Sequence, residues 1–227
     1  MMASAFYSGR FPEYKYIDDD VESGVGFDLA TMFGSGFADA LEPPACEADG
    51  TPRHSDEIQA FEAFLMKLLK EKTPFIYGLD SLDSLDEKDE RTKREENAEK
   101  YLNDTKLSGG YGMAKAKKMS ELMRGIKRGI AATESLLCII SQVRTNVGNP
   151  FNPKYVAGGK ALEFYCWQRI FLEHTGYIKA TVNGSPRKIG VTTKAKVGKN
   201  RETGKLREVE FPIYYDYGVD DLASCVD

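Results

Sequence analysis

A chain of 227 residues with a formal charge of −4 at pH 7 is long enough to bury the core of one α/β domain. No apolar run approaches the ~18 residues that read as a membrane helix. Met1–Arg10 lacks the basic and apolar regions of a secretory signal, so the sequence points away from membrane and export and toward the cytoplasm. The near-neutral total hides an asymmetry: residues 1–103 carry 11 Lys/Arg against 23 Asp/Glu, residues 104–200 carry 17 against 5, and residues 201–227 carry 3 against 7. A basic segment between two acidic ones is a candidate polyanion footprint, although such cations also solvate ordinary helix and strand faces. Cys46, Cys138, Cys166 and Cys225 are far apart with no metal-type pairing. Cys138 in an apolar run and Cys166 beside Phe164 and Tyr165 read as buried, reduced thiols.

In chain order, residues 1–13 carry no periodic pattern and are expected to be disordered or poorly packed. Glu13–Ile17, with Tyr14 and Tyr16, reads as a strand running into Asp18-Asp19-Asp20-Val21-Glu22. Carboxylates after a strand suit a metal or a water near a phosphate, or equally a solvated acidic turn. Phe27–Phe33 reads as a short helix and Gly34–His54 as a loop. Ser55 is placed to cap a strong helix, with Asp56 and Glu57 in its first turn and Lys70 and Lys72 in its last. Ile58, Phe61, Leu65, Leu68 and Leu69 fall on one face at helical spacing and form a core stripe. Pro74 ends that helix, and Phe75–Leu79 is a buried strand closed by Asp80-Ser81. An apolar strand ending in Asp is the pattern that orders a Mg²⁺ water beside nucleotide phosphates.

Asp83–Asn103 mixes charges at helical spacing and reads as an exposed helix. Residues 104–118 differ: they are glycine-rich, with Tyr111 and the cations Lys106, Lys115, Lys117 and Lys118, a mobile loop attractive to a phosphate backbone. A helix over Met119–Ala132 leads to Leu136–Ile140, a short continuous apolar run expected to be a strand buried on both faces. It ends in Ser141 and Gln142, where a ligand would sit in an open α/β sheet. The loop that follows, residues 143–158, sets Arg144, Asn146, Asn149 and Lys154 among Phe151 and Tyr155 and closes on Gly158 and Gly159. Cations, amides and rings together suit single-stranded nucleic acid. Beyond Tyr165 the texture is β: Trp167–Leu172, Lys188–Val197 and Glu208–Tyr215, the last two joined by a turn over Lys199–Gly204.

Ile140-Ser141-Gln142-Val143-Arg144, followed by Gly158-Gly159-Lys160-Ala161-Leu162-Glu163-Phe164-Tyr165, resembles the switch strand, second DNA-binding loop and following helix of RecA-type recombinases, above all those of bacteriophages. The resemblance runs from about Tyr14 to the C-terminus, specific in the second half and loose before Phe75. It implies one RecA-like core over residues 1–227: a mostly parallel sheet flanked by helices, with a C-terminal antiparallel hairpin. It implies ATP and Mg²⁺ as cofactors, with Asp80 and Ser81 at the metal and phosphates and Gln142 as the switch between nucleotide and loop. Ile17-Asp18-Asp19-Asp20 matches in phase the family's Ile-Asp-Ala-Glu, so Asp20 stands where the water-orienting Glu is expected, and Glu22 is the other candidate. Lys199-Asn200-Arg201 fits the Lys-Asn-Lys that reaches a neighbouring subunit's nucleotide, though any exposed hairpin carries such residues. Residues 104–118 sit where the first DNA-binding loop of the family does.

A phosphate-binding loop needs G-x-x-x-x-G-K-[ST], and no such run exists among these residues. In the family it would lie before Tyr14. A fragment, the second piece of a split gene and a degenerate homologue all fit. The function implied is single-stranded DNA binding in ATP-dependent homologous recombination and repair, in the cytoplasm (a host's, for a phage gene). The partners implied are single-stranded DNA and either further copies or a subunit that bears the phosphate-binding loop. The alternatives are a non-catalytic module that binds DNA or a recombinase and, less close, a phosphotransferase-like enzyme.

Overall fold

Two apolar alternations build the first of two compact units, Met1–Tyr165 and Cys166–Asp227. The computed structural model describes residues 1–24, 26, 28–88, 92, 97, 113–145, 154–156, 159–182 and 184–219, with residues 113, 144, 145, 154–156, 159 and 161 described by their backbone alone. Strand β1 (Lys15–Asp20) pairs in parallel with β2 (Leu41–Glu42) and β5 (Phe75–Asp80), and β5 pairs in parallel with β6 (Leu136–Ile139), giving the order β2-β1-β5-β6. Successive side chains of a strand point to opposite faces. Ile17, Phe75, Tyr77 and Leu79 therefore enter one core, while Tyr16 and Ile76 enter another. A mostly parallel sheet flanked by helices, expected from the sequence, is what forms.

The larger core is closed by α4 (Ile58–Glu71) and α5 (Met113–Ala132). Their apolar stripes, Ile58, Phe61, Leu65 and Leu68 on one and Met119, Leu122, Met123 and Ile126 on the other, are all buried. Each such side chain, fully buried, is worth about 1.5–3 kcal/mol. The opposite face is covered by α1 (Met2–Tyr7) and α3 (Ser35–Ala40). Of residues 1–13, expected to be disordered or poorly packed, Met2–Tyr7 form α1, and Met2, Ala3, Ala5 and Phe6 pack on this second core. Met2 and Phe6 stand four apart and share a helix face, and the Phe6 ring meets Tyr16 and Phe37 edge-on at 5.6 and 5.9 Å. The segment read as a loop, Gly34–His54, likewise holds α3 and β2, along with a short pair, β3 (Ala45–Cys46) and β4 (Pro52–Arg53). The short helix α2 is Leu29–Phe33, capped by the Asp28 side chain.

Three further expectations are corrected. Helix α4 begins after Glu57 with no side-chain cap; the Ile58 amide bonds the Asp86 carbonyl at 2.9 Å, and Ser55 is used elsewhere. Helix α5 starts at Met113, so residues 113–118 are helical, because Ala, Lys and Met are strong helix formers. Residues 104–112 lie outside the described residues. Strand β6 is not buried on both faces: among the described residues it pairs with β5 alone, and Leu136 and Ile140 are 44% and 49% exposed. Beyond it come β7 (Val143–Thr145) and β8 (Lys154–Val156), an antiparallel pair, and helix α6 (Gly159–Tyr165).

The second unit is one antiparallel sheet in the order β12-β11-β10-β9. Strands β9 (Gln168–Val182) and β10 (Ser185–Asn200) are far longer than the short strands expected. Three register shifts between them break the two-residue period that a sequence reading follows. Strand β11 (Glu208–Tyr214) joins β10, and β12 (Gly218–Val219) joins β11. Gly190 is required where β11 crosses, since a Cβ there would lie 2.5 Å from the Ile213 carbonyl oxygen. The C-terminal antiparallel hairpin expected from the sequence forms, as β9 and β10 of a four-stranded sheet that makes a compact unit of its own.

Candidate functional site

The parallel register sets the carboxyl ends of β1 and β5 level, with Asp18 opposite Gly78 and Asp20 opposite Asp80. Val21 and Glu22 then donate their amides to the Asp80 carbonyl at 2.7 and 3.2 Å, which folds the acidic stretch over the end of β5. Glu22 is held there: its carboxylate accepts the hydroxyls of Ser81 and, at 3.0 Å, Ser84. The Asp20 carboxylate accepts the Gly24 amide at 3.0 Å, and the Asp20 amide donates to His54 Nδ1 at 3.1 Å. Beneath this surface the Asp19 side chain is wholly buried and accepts from the Ser55 amide (2.8 Å), the Ser55 hydroxyl (2.6 Å) and the Tyr77 hydroxyl (2.6 Å).

A second tie runs to β6. Asp83, in the turn after β5, accepts at one carboxylate oxygen both the Ser141 hydroxyl (2.8 Å) and the Gln142 amide (2.7 Å). The Leu82 amide also donates to the Ile140 carbonyl at 3.0 Å. The turn after the aspartate strand therefore grips the backbone at Gln142, whose residue is exposed. Asp20, Glu22, Asp80, Ser81 and Gln142 are brought to one edge of one sheet. Asp83, Ser84, His54 and the Asp19–Ser55–Tyr77 cluster were not singled out from sequence. No local signal marked Asp83, because its partners Ser141 and Gln142 lie 58 and 59 residues further along the chain.

Carboxylates crowd this edge. Burial, then Glu22 and Asp20, push the Asp80 carboxyl above the usual carboxylate range. Burial, then Asp20, does the same to Asp18. A carboxylate raised this way fits a hydrated divalent cation, whose charge would relieve it. Among the described residues no group of three or more His, Cys, Asp or Glu side chains is gathered to hold a metal. An ion at Asp80 would take the rest of its coordination shell from water and phosphate oxygens. The raised pKa has a measurable sign. An acid whose folded pKa exceeds its unfolded value stabilises fully below the unfolded pKa, and that contribution is lost as pH rises through the folded one. Asp80→Asn is accordingly expected to raise the melting temperature at pH 7, with the gain vanishing near pH 4. Thermal unfolding at the two pH values checks it, and an unchanged or lower value at pH 7 counts against the crowding described.

The remaining expected residues divide. Lys115 Nζ donates to the carbonyls of Asp83 and Leu85 at 3.2 and 2.5 Å, and Lys118 pairs with Glu62 at 2.6 Å, so both brace α5 rather than line a loop. Lys117 is exposed on the same helix. Arg144 stands opposite Tyr155, and Thr145 opposite Lys154, in the β7–β8 ladder, while Gly159 opens α6. Lys106, Tyr111, Asn146, Asn149, Phe151 and Gly158 lie outside the described residues. Lys199 and Arg201 belong to the second unit, at the end of β10. The turn there is organised by Asn200, whose side chain bonds the Glu202 amide (3.0 Å) and the Thr203 hydroxyl (2.8 Å). Cys46, Cys138 and Cys166 are free thiols; Cys46 is exposed, the other two half-buried, and burial pushes the Cys138 thiol up.

In an open α/β sheet a ligand binds outside the carboxyl ends of the strands, and that is where Asp20, Asp80 and Gln142 are gathered. The RecA N-terminal domain matches residues 100–220, more than half of the chain, and the chain belongs to the RecA family. The RecA proteins of two strains of Cereibacter sphaeroides are 38% identical to it over 115 residues, 50% of this chain. The match spans about a third of those relatives, 32% of one and 31% of the other. Gln142, the β7–β8 hairpin and Lys199–Arg201 fall inside the family match, whereas Asp20, Glu22 and Asp80 precede it.

Proposed function

We propose that the chain acts in DNA recombination and repair, in the cytoplasm, holding single-stranded DNA under the control of a nucleotide at the β1–β5–β6 edge. The Asp83 clasp carries this reading. It ties the Gln142 backbone to the turn that follows Asp80, so a change at the phosphate side is passed to the hairpin that begins at Val143. ATP with its Mg²⁺ would supply a charge that appears on binding and leaves on hydrolysis. Asp80 and Ser81 would hold the hydrated ion, and Asp20 or Glu22 would orient water. Lys199 and Arg201 would face a neighbouring subunit's nucleotide when copies assemble. Lys106, Tyr111 and Lys117, with Arg144, Asn146, Asn149, Phe151, Lys154, Tyr155, Gly158 and Gly159, would meet the DNA.

Ordering glycine-rich loops costs on the order of 1 kcal/mol per residue, so the chain alone should bind single strands only at roughly micromolar strength. Binding should exceed that of duplex and weaken with salt. Arg144→Ala with Lys154→Ala should shallow the salt dependence, whereas Phe151→Ala should weaken binding at unchanged slope. Titration of labelled oligonucleotides at several salt concentrations tests this; no binding at low salt defeats it. A second reading has its own observation: no G-x-x-x-x-G-K-[ST] run occurs in these residues. On that reading the chain binds DNA or a partner recombinase without turnover, and ATP hydrolysis that disappears in Asp80→Ala would exclude it.

A further inference from the structure

Asp83 is held from two sides. Its carboxylate accepts the Ser141 hydroxyl and the Gln142 amide. Its carbonyl accepts a second tie: Lys115 Nζ donates to the Asp83 carbonyl at 3.2 Å and to the Leu85 carbonyl at 2.5 Å. Lys115 is the third residue of α5, so it holds the point where residues 104–112 join the helix. Gln142 is followed at once by Val143, which opens β7. The two segments expected to meet DNA are thus fastened to one residue, one through its backbone and one through its side chain. Coupling between two places needs an element that both of them bias, and Asp83 meets that requirement.

The turn that carries Asp83 is pinned on both sides. Leu82 and Leu85 are buried in the larger core. The Leu82 amide donates to the Ile140 carbonyl and the Asp86 amide to the Asp56 carbonyl, each at 3.0 Å. The Ser84 hydroxyl donates to Glu22 at 3.0 Å, so the same turn bears on the acidic strand end. The start of α5 has less to hold it. Met119 is its first buried residue among those described, and the leading amides of a helix have no partner inside it. Lys115 and Lys118 stand three apart on one face. Lys118 pairs with Glu62 at 2.6 Å, whereas Lys117 is exposed. Hydrogen bonds from an ionised donor are about twice as strong as neutral ones. Lys115 therefore seats the first turn of the helix on the Asp83 turn and leaves Lys117 to reach outward.

We propose that Lys115 is a positioning residue that makes the Asp83 turn a common mount for residues 104–118 and 143–158, so that the two segments change arrangement together. Its use in function rests on the reading that these segments hold single-stranded DNA, but the tie itself is measurable without DNA. Lys115→Met keeps a long, helix-forming side chain and removes the charge and the donors. In the full chain, hydrogen exchange should then quicken at the Gln142 amide, which belongs to the other tie, by roughly two- to ten-fold, the worth of one weakened hydrogen bond. Exchange at Tyr77, in the middle of β5, should stay as in the parent, and Lys115→Arg should restore the protection at Gln142. Titrated with labelled oligothymidylate, Lys115→Met should bind several-fold more weakly with the log–log salt slope unchanged. Lys117→Ala and Arg144→Ala should be non-additive in the parent by about two-fold or more, and additive in the Lys115→Met background. An unchanged Gln142 exchange rate overturns the proposal, and so does a matching rise at Tyr77, which would mean general loosening. A slope shallower by about 0.7 would make Lys115 a phosphate contact instead and also overturns it. If exchange at Gln142 responds while the parent binds no oligonucleotide, the mount stands and the single-strand reading falls.

Discussion

Replacing Asp19 by Ala is expected to destabilise the first unit by about 3–5 kcal/mol, as for a buried charged group whose partners are left unsatisfied. The Asp19 carboxylate is wholly buried and satisfies three donors, the Ser55 amide, the Ser55 hydroxyl and the Tyr77 hydroxyl, with His54 Nδ1 3.7 Å away. Truncation strands those donors in a core closed by Phe61 and Phe75. Each buried unsatisfied group costs about 1–3 kcal/mol, and the three do not add fully because one water can enter. Ser55→Ala and Tyr77→Phe remove one hydroxyl each and should cost less, about 1–2 kcal/mol. Burial, then the Asp19 charge, raises the Tyr77 pKa. Its stabilising contribution is therefore complete below the unfolded tyrosine value of about 10 and is lost as pH climbs toward the higher folded value. The parent should lose stability above about pH 10 more steeply than Tyr77→Phe. Urea unfolding of the variants measures both effects, and a loss under 1 kcal/mol for Asp19→Ala would show that the cluster is not a structural anchor.

Asp83→Ala is expected to abolish the influence of nucleotide on DNA affinity if the chain works as proposed. Coupling between two sites is usually 1–3 kcal/mol, about 5- to 150-fold, and here it must cross from the end of β5 to the start of β7. One carboxylate oxygen of Asp83 makes that crossing through Ser141 and the Gln142 amide. Without it, Ser141 and Gln142 are released from the turn, while Asp80 and Glu22 keep their own bonds. Single-strand affinity should be measured with and without a non-hydrolysable ATP analogue, in assemblies with a subunit that bears a phosphate-binding loop. The parent should show a ratio well above one and Asp83→Ala a ratio near one, at little changed affinity without nucleotide. Asp83→Asn keeps an oxygen acceptor and should fall between. Equal ratios in parent and Asp83→Ala would mean the signal travels another way.

What the sequence disclosed was local. Helix α4 was legible because Ile58, Phe61, Leu65 and Leu68 repeat at helical spacing, and β5 because Phe75–Leu79 is apolar between Pro74 and Asp80. Asp80 and Gln142 were legible as polar residues ending such strands. The Asp19–Ser55 pair was not, since the partners lie 36 residues apart and only the fold brings them together. Asp83 and Ser141 are 58 apart and were hidden for the same reason. Ser55 misled because its residue type suits a helix cap as well as a buried partner. The half-exposure of β6 was not readable, because a neighbour rather than the strand itself decides whether an apolar run is covered. The lengths of β9 and β10 were obscured by bulges that shift the alternation out of phase.

The open side of β6 bears on how the protein behaves in a test tube. Leu136-Leu137-Cys138-Ile139-Ile140 holds no charge and no proline, and among the described residues only one of its two sides is hydrogen-bonded to another strand. Natural sheets blunt such sides with lysine, proline or a bulge, because an unpaired row of amides and carbonyls is a template for another chain. Colloidal repulsion from a net charge of −4 acts over the whole surface and does not guard one short hydrophobic seam. A partner that supplies a strand along this seam would act as a chaperone as well as a subunit.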